Sequence, residues 1–246
     1  LLLVEFAEEE MDENHRRLKK LHLLMNDLGY SWNKNKKKGG VIDVIDDNLQ
    51  SKVSEMRKSG LNIMMSMKDD AKPVSFIEDC AVELKDLAEY TNGLNKIFDK
   101  YKVKGTWYAH ASVGCLHVRP VLNMKIQDDV EKMRNIANET SSLVKKFNGS
   151  YSGEHGDGIA RSEFNEVMFG KKMINIFKII KNSFDPSNIF NPGKIVDAPK
   201  LDSRSLFRYA PSYNAQNINT ILDWSSWTGA SGGFQGAIEM CNNNGS

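Results

Sequence analysis

Thr106-Trp107-Tyr108-Ala109-His110-Ala111-Ser112-Val113-Gly114-Cys115-Leu116-His117-Val118-Arg119-Pro120-Val121-Leu122-Asn123 is the stretch whose reading decides the fold. It is rich in β-branched and aromatic residues, it is broken once by Gly114, and it reads as a β-hairpin. Side chains alternate faces along a strand, so Tyr108 and His110 share one face. On the return strand Cys115, His117 and Arg119 share a face, and Leu116 and Val118 take the other. A strong helical pattern lies on each side. Over 82–101, Leu84, Leu87, Thr91, Leu94, Ile97, Phe98 and Tyr101 keep helical spacing; over 127–147, Val130, Met133, Ala137, Leu143, Val144 and Phe147 do so. Antiparallel strands mixed with long helices, without regular βαβ alternation, predict an α+β fold: an antiparallel sheet flanked by helices.

Working outward, Leu1–Phe6 predicts a buried strand, and Asp12 caps a helix to about Leu28, with Leu18, Leu21, Met25 and Leu28 on one face. Lys34–Gly40 reads as a solvated loop between two strands within 31–46. A helix at about 48–59 turns Leu49, Val53 and Met56 inward and closes at Gly60, and 61–67 reads as a strand. Toward the other end, Ser150–Glu154 reads as a short strand entering a Gly-rich turn. A helix over about 165–183 stops at Asp185-Pro186. From about 199 the periodicity fades into an irregular extension.

The chain has 246 residues, enough for a sizeable core. Lys and Arg total 33 against 32 Asp and Glu, a net charge of +1, which leaves no electrostatic footprint for nucleic acid or an anionic membrane. The apolar runs are too short for a membrane span. Three cysteines, Cys80, Cys115 and Cys241, are too few for a disulfide framework and fit a reducing compartment such as the cytoplasm. The opening residues lack Met and a basic region, so they do not read as a secretory signal, and the chain reads as a fragment.

Five histidines are present, and His15 and His22 fall on the polar flank of the first helix. The other three lie in two Gly-punctuated segments, His110 to His117 and Gly153-Glu154-His155-Gly156-Asp157-Gly158. A single histidine is most simply a hydrogen-bonded core or surface residue. Here the hairpin can bring His110 and His117 within reach of one ion, and Glu154 adds a carboxylate. Two imidazoles and a carboxylate leave a coordination position open, as in a catalytic divalent-metal site. Strict alternation sends Glu154 and His155 to opposite faces, so the glycine turn must redirect His155 if both serve one site.

Five segments in this order resemble the C-terminal portion of the FAD-linked oxidases of the vanillyl-alcohol oxidase superfamily, of the D-lactate, glycolate and D-2-hydroxyglutarate dehydrogenase type. They are Arg57-Lys58-Ser59-Gly60-Leu61, Lys72-Pro73-Val74-Ser75-Phe76-Ile77-Glu78-Asp79, Tyr108 through Pro120, Gly153 through Gly158, and Phe184-Asp185-Pro186 through Ile195. The resemblance covers about 1–197 and implies a substrate (cap) domain with ferredoxin-like elements. It implies that His110, His117 and Glu154 hold a divalent metal (Zn, Mn or Fe) and that His155 is the base for the substrate hydroxyl. Arg57, Lys72 and Arg119 are implied to clamp the carboxylate of a small 2-hydroxy acid, although Lys72 reads equally well as a solvated lysine before a proline. In the related hydroxyglutarate enzymes Asn stands two residues after the second histidine, where this chain has Arg119. FAD is implied to be held mainly by a separate N-terminal domain, with Asn191 on the flavin side.

Gly233-Phe234-Gln235-Gly236-Ala237-Ile238-Glu239-Met240-Cys241-Asn242 further resembles the branch fused to a 4Fe-4S domain. There Cys241 is implied to be the first cluster ligand, and 198–246 a linker and the start of that domain. The implied electron acceptor is a quinone, a cytochrome or the iron-sulfur domain, in the cytoplasm or at a membrane surface. Two other readings use the same residues: a metal-dependent hydrolase built on His110, His117 and Glu154, and an interaction domain with degenerate sites.

Overall fold

The computed structural model describes residues 2–32, 39–67, 69–211, 213, 216, 218–229 and 232–244. They form two compact units, Leu1–Gly60 and Leu61–Ser246. The first unit contains α1 (Met11–Asp27), where Glu13 binds Arg16 and Arg17 one turn on. His22 pairs with Asp43 at 2.7 Å.

The expected strands of this unit are absent among the described residues: 2–6 and the described part of 31–46 are irregular. Leu2, Leu3 and Val4 are exposed, because an apolar run becomes a strand only where another strand can satisfy its backbone groups. The loop lysines at 34–38 lie outside the described residues. α2 (Asp47–Met65) runs through Gly60 and absorbs the strand expected at 61–67. A glycine inside a helix costs only about 1 kcal/mol relative to alanine, so it need not end one. Leu49 and Met56, expected inward, are exposed.

In the second unit the hairpin forms as expected. β3 (Gly105–His110) pairs antiparallel with β4 (Cys115–Leu122), with Tyr108 opposite His117 and His110 opposite Cys115. Gly114 makes the turn at φ 71°, and a side chain there would collide with the Val82 carbonyl. β4 is the centre of the sheet. Its other edge carries two short strands, β1 (Lys72–Pro73) beside Val121 and Leu122, and β2 (Cys80–Ala81) beside Cys115 and Leu116. The expected strand at 150–154 shrinks to one bridge, Ser150 with Ala81.

α3 (Leu87–Tyr101) and α4 (Gln127–Lys146) pack on the sheet. With β2 and the Ser150 bridge they complete the β-α-β-β-α-β order of ferredoxin-like folds. The shared core joins Leu116, Val118 and Leu122 of β4 to Tyr90, Leu94 and Phe98 of α3 and to Val130, Met133, Ile136 and Val144 of α4. Burial of this face leaves the opposite face of β4, with His117 and Arg119, for chemistry. Leu84 falls outside α3 and is exposed.

A short α5 (Gly158–Arg161) leads into α6 (Asn165–Phe184), which bends at Gly170. The extension is more ordered than its fading periodicity suggests. Leu201 and Phe207 pack on the core, Arg134 binds Asp202 at 2.6 Å, and α7 (Gly233–Asn244) closes the described chain. Glu239 of α7 is buried on Lys125 at 2.6 Å.

Candidate metal and proton-transfer site

β3 and β4 place His110 and His117 with ring centroids 5.1 Å apart and nearly perpendicular. The Gly153–Gly158 turn brings in Glu154 and His155. Glu154 Oε2 lies 3.4 Å from His117 Nε2 and 3.8 Å from His155 Nε2, and Oε1 lies 4.0 Å from His110 Nε2. The His155 ring stacks on His117 at 5.2 Å. One ligand atom from each of His110, His117 and Glu154 falls within 4.8 Å of the others. All four expected groups therefore meet.

The turn solves the alternation problem through a residue that spacing alone does not single out. Asp79, fully buried at φ 60°, accepts the backbone N–H of both Glu154 and His155 through one oxygen, each at 2.7 Å. Its other oxygen is held by Arg161, which also donates to the carbonyls of Glu78 and Gly156 at 2.6 Å. The turn is thus gripped at its backbone, and two consecutive side chains are turned toward one site.

Glu78 is the second residue that spacing did not single out. It is buried, bound by Arg119 and Ser75, with Oε1 3.6 Å from His117 Nδ1. Burial opposes its ionisation, but the hydrogen bonds from Arg119 and Ser75 win and hold the carboxyl below the usual value. The available signal was a pair of acids inside the apolar run Phe76-Ile77-Glu78-Asp79-Cys80-Ala81-Val82, because buried carboxylates require partners.

The remaining expected residues are distributed differently. Arg119 shares the face of His117 but is tied to Glu78. Lys72 lies opposite Leu122, roughly 17 Å along β4 from His117 at the usual strand rise. Its ammonium donates to the Met67 carbonyl and reaches the Met240 sulfur at 3.5 Å, so the described contacts turn it toward α7. Arg57 lies on α2 in the first unit and is exposed. Asn191 sits at φ 47° in an exposed turn whose backbone N–H groups at Ile189 and Phe190 bind Asp185. Cys241 is exposed on α7.

Electrostatics favour a cation between the histidines. Glu154 lies within 4.0 Å of the ring nitrogens of His110, His117 and His155, and Glu78 lies beside His117 with Arg119 bound to it. Burial pushes the His117 imidazole below its ordinary value, toward the neutral form that ligates metal. It also pushes the neighbouring Cys115 thiol up to about 11, so Cys115 stays protonated. The donor set of two imidazoles and a carboxylate fits Zn, Mn or Fe.

The family model of FAD linked oxidases, C-terminal domain, matches residues 1–195. The chain belongs to that family. It is 32% identical over 198 residues to D-2-hydroxyglutarate dehydrogenase of Pantoea ananatis, covering 79% of this chain and 19% of that protein. To glycolate oxidase subunit GlcD of Bacillus subtilis it is 29% identical, over 58% of this chain and 30% of the relative. To D-lactate dehydrogenase of Archaeoglobus fulgidus it is 31% identical, over 51% and 27%. The chain thus spans between about a fifth and a third of the length of these relatives. Among the described residues no helix is long and apolar enough to cross a membrane.

Proposed function

We propose that this chain is the substrate-side domain, over 1–197, of an FAD-dependent dehydrogenase of D-2-hydroxy acids such as D-lactate. The observation that carries the reading is the meeting of His110, His117, Glu154 and His155 in a chain of the FAD linked oxidase family. His110, His117 and Glu154 hold a divalent ion, which supplies Lewis acidity toward the substrate hydroxyl. His155, stacked on His117, would take the hydroxyl proton, and a bound flavin would supply the acceptor for the hydride on the same carbon. The products are a 2-oxo acid, reduced flavin and protonated His155.

Arg119 is the carboxylate-binding candidate placed on the face of His117; Arg57 and Lys72 are proposed for the same grip on the resemblance. FAD is held mainly by a separate domain, and the exposed Asn191 turn meets its flavin. Residues 198–246 lead into an iron-sulfur domain, with Cys241 its first ligand. That domain, a quinone or a cytochrome takes the electrons onward, in the cytoplasm or at a membrane surface. The hydrolase and scaffold readings use the same residues, but family membership favours neither.

The test is His155→Ala in the whole FAD-loaded protein. Turnover is expected to fall about 10²–10⁴-fold with metal content unchanged. Equal loss of metal would overturn the division of roles.

A further inference from the structure

Glu78 belongs to no part of the reaction above, yet both of its carboxylate oxygens are held beside the site. Only 3% of its surface is exposed. Ser75 holds one oxygen and Arg119 the other, so the side chain cannot swing away. The oxygen held by Arg119 is also the one nearest His117 Nδ1, at 3.6 Å. That Nδ1 is buried and has no hydrogen-bond partner within normal range. A buried polar nitrogen without a partner is a rare and costly arrangement.

We propose that Glu78 is the positioning residue of His117. It keeps the proton on Nδ1 and thereby leaves the Nε2 lone pair for the ion shared with His110 and Glu154. The proposal rests on the reading of those three residues as metal holders. The logic is chemical: an imidazole that ligates through one nitrogen presents N–H at the other, and a fixed carboxylate there sets both tautomer and ring orientation. Arg119 then has a second duty. It holds the Glu78 oxygen nearest His117 and so keeps Glu78 from becoming a ligand itself. Glu78, His117 and His155 also place ligand atoms within 4.8 Å of one another. With a guanidinium bound to Glu78, a cation is repelled from that triad and directed to the Glu154 side.

The experiment compares the purified chain with Glu78→Gln and Glu78→Ala. The isosteric Gln variant keeps the cavity filled where Ala risks misfolding beside the stranded Arg119. Zinc affinity is measured by competition with a chromophoric chelator, and the His117 tautomer by long-range ¹H–¹⁵N correlation in the metal-free chain. Assignment of that ring uses His117→Gln. The expected result is an Nδ1–H tautomer in the parent, a rise in the Nε2–H form in both variants, and zinc binding weakened about 10–100-fold. A parent in the Nε2–H form, or variants that leave tautomer and affinity unchanged, would overturn the proposal. A parent that binds no zinc but shows the Nδ1–H form, lost in the variants, would overturn the metal reading and uphold the role of Glu78.

Discussion

Asp79 and Arg161 form a buried ion pair between segments 82 residues apart. The pair matters because Asp79 also holds the backbone of Glu154 and His155, so one contact fixes the position of two functional groups. Removing one partner of a buried pair leaves an uncompensated charge and typically costs about 3–5 kcal/mol. Arg161→Met is therefore expected to lower unfolding stability in urea by about that amount. A loss below about 1 kcal/mol would show that Asp79 keeps the turn through its N–H contacts alone.

Glu78 gives stability a definite pH dependence. Its carboxyl sits below the ordinary value in the folded chain, through Arg119 and Ser75, despite burial. The unfolded chain therefore takes up the proton first as pH falls. The stability contributed by the ionised group is fully present above the ordinary carboxylate value, about 4.3, and is lost as pH drops through the folded value. Parent and Glu78→Gln are expected to differ most above the ordinary carboxylate value, and the difference is expected to narrow as pH falls below it, followed by urea midpoints. A gap that stays constant would show that the carboxyl is not held low.

The C-terminal helix is latched by charge. Lys125 binds Asp70 at 2.8 Å and Glu239 at 2.6 Å, and Tyr213 also donates to Glu239. Lys125→Met leaves Glu239 buried without that cation, so α7 is expected to loosen by about 3 kcal/mol. Amide exchange over 233–244 then rises by roughly two powers of ten. Unchanged exchange would mean that apolar packing alone holds the helix.

Legibility from sequence followed how local the determinants are. The hairpin was readable because alternation and Gly114 lie within eighteen consecutive residues, and α4 because its apolar stripe is long and regular. The two-residue strands β1 and β2 were not, since they exist only through pairing with β4. Leu2–Val4 misled because burial of an apolar run depends on partners that the run does not specify. Gly60 misled because a glycine marks a helix end only where the backbone turns left-handed. His110, His117, Glu154 and His155 were found by residue type. Asp79 and Arg161, which aim two of them, act over 82 residues and leave only the trace of acids in an apolar run.

His110, His117 and Glu154 are proposed to hold one divalent metal ion. Elemental analysis of the purified chain beside a His110→Ala, His117→Ala double variant tests this most directly. About one equivalent of a divalent transition metal is expected in the parent, as for a three-ligand site, and its loss in the double variant. Metal that persists in the double variant, or a parent that takes up none when supplied with zinc or manganese, would contradict the proposal.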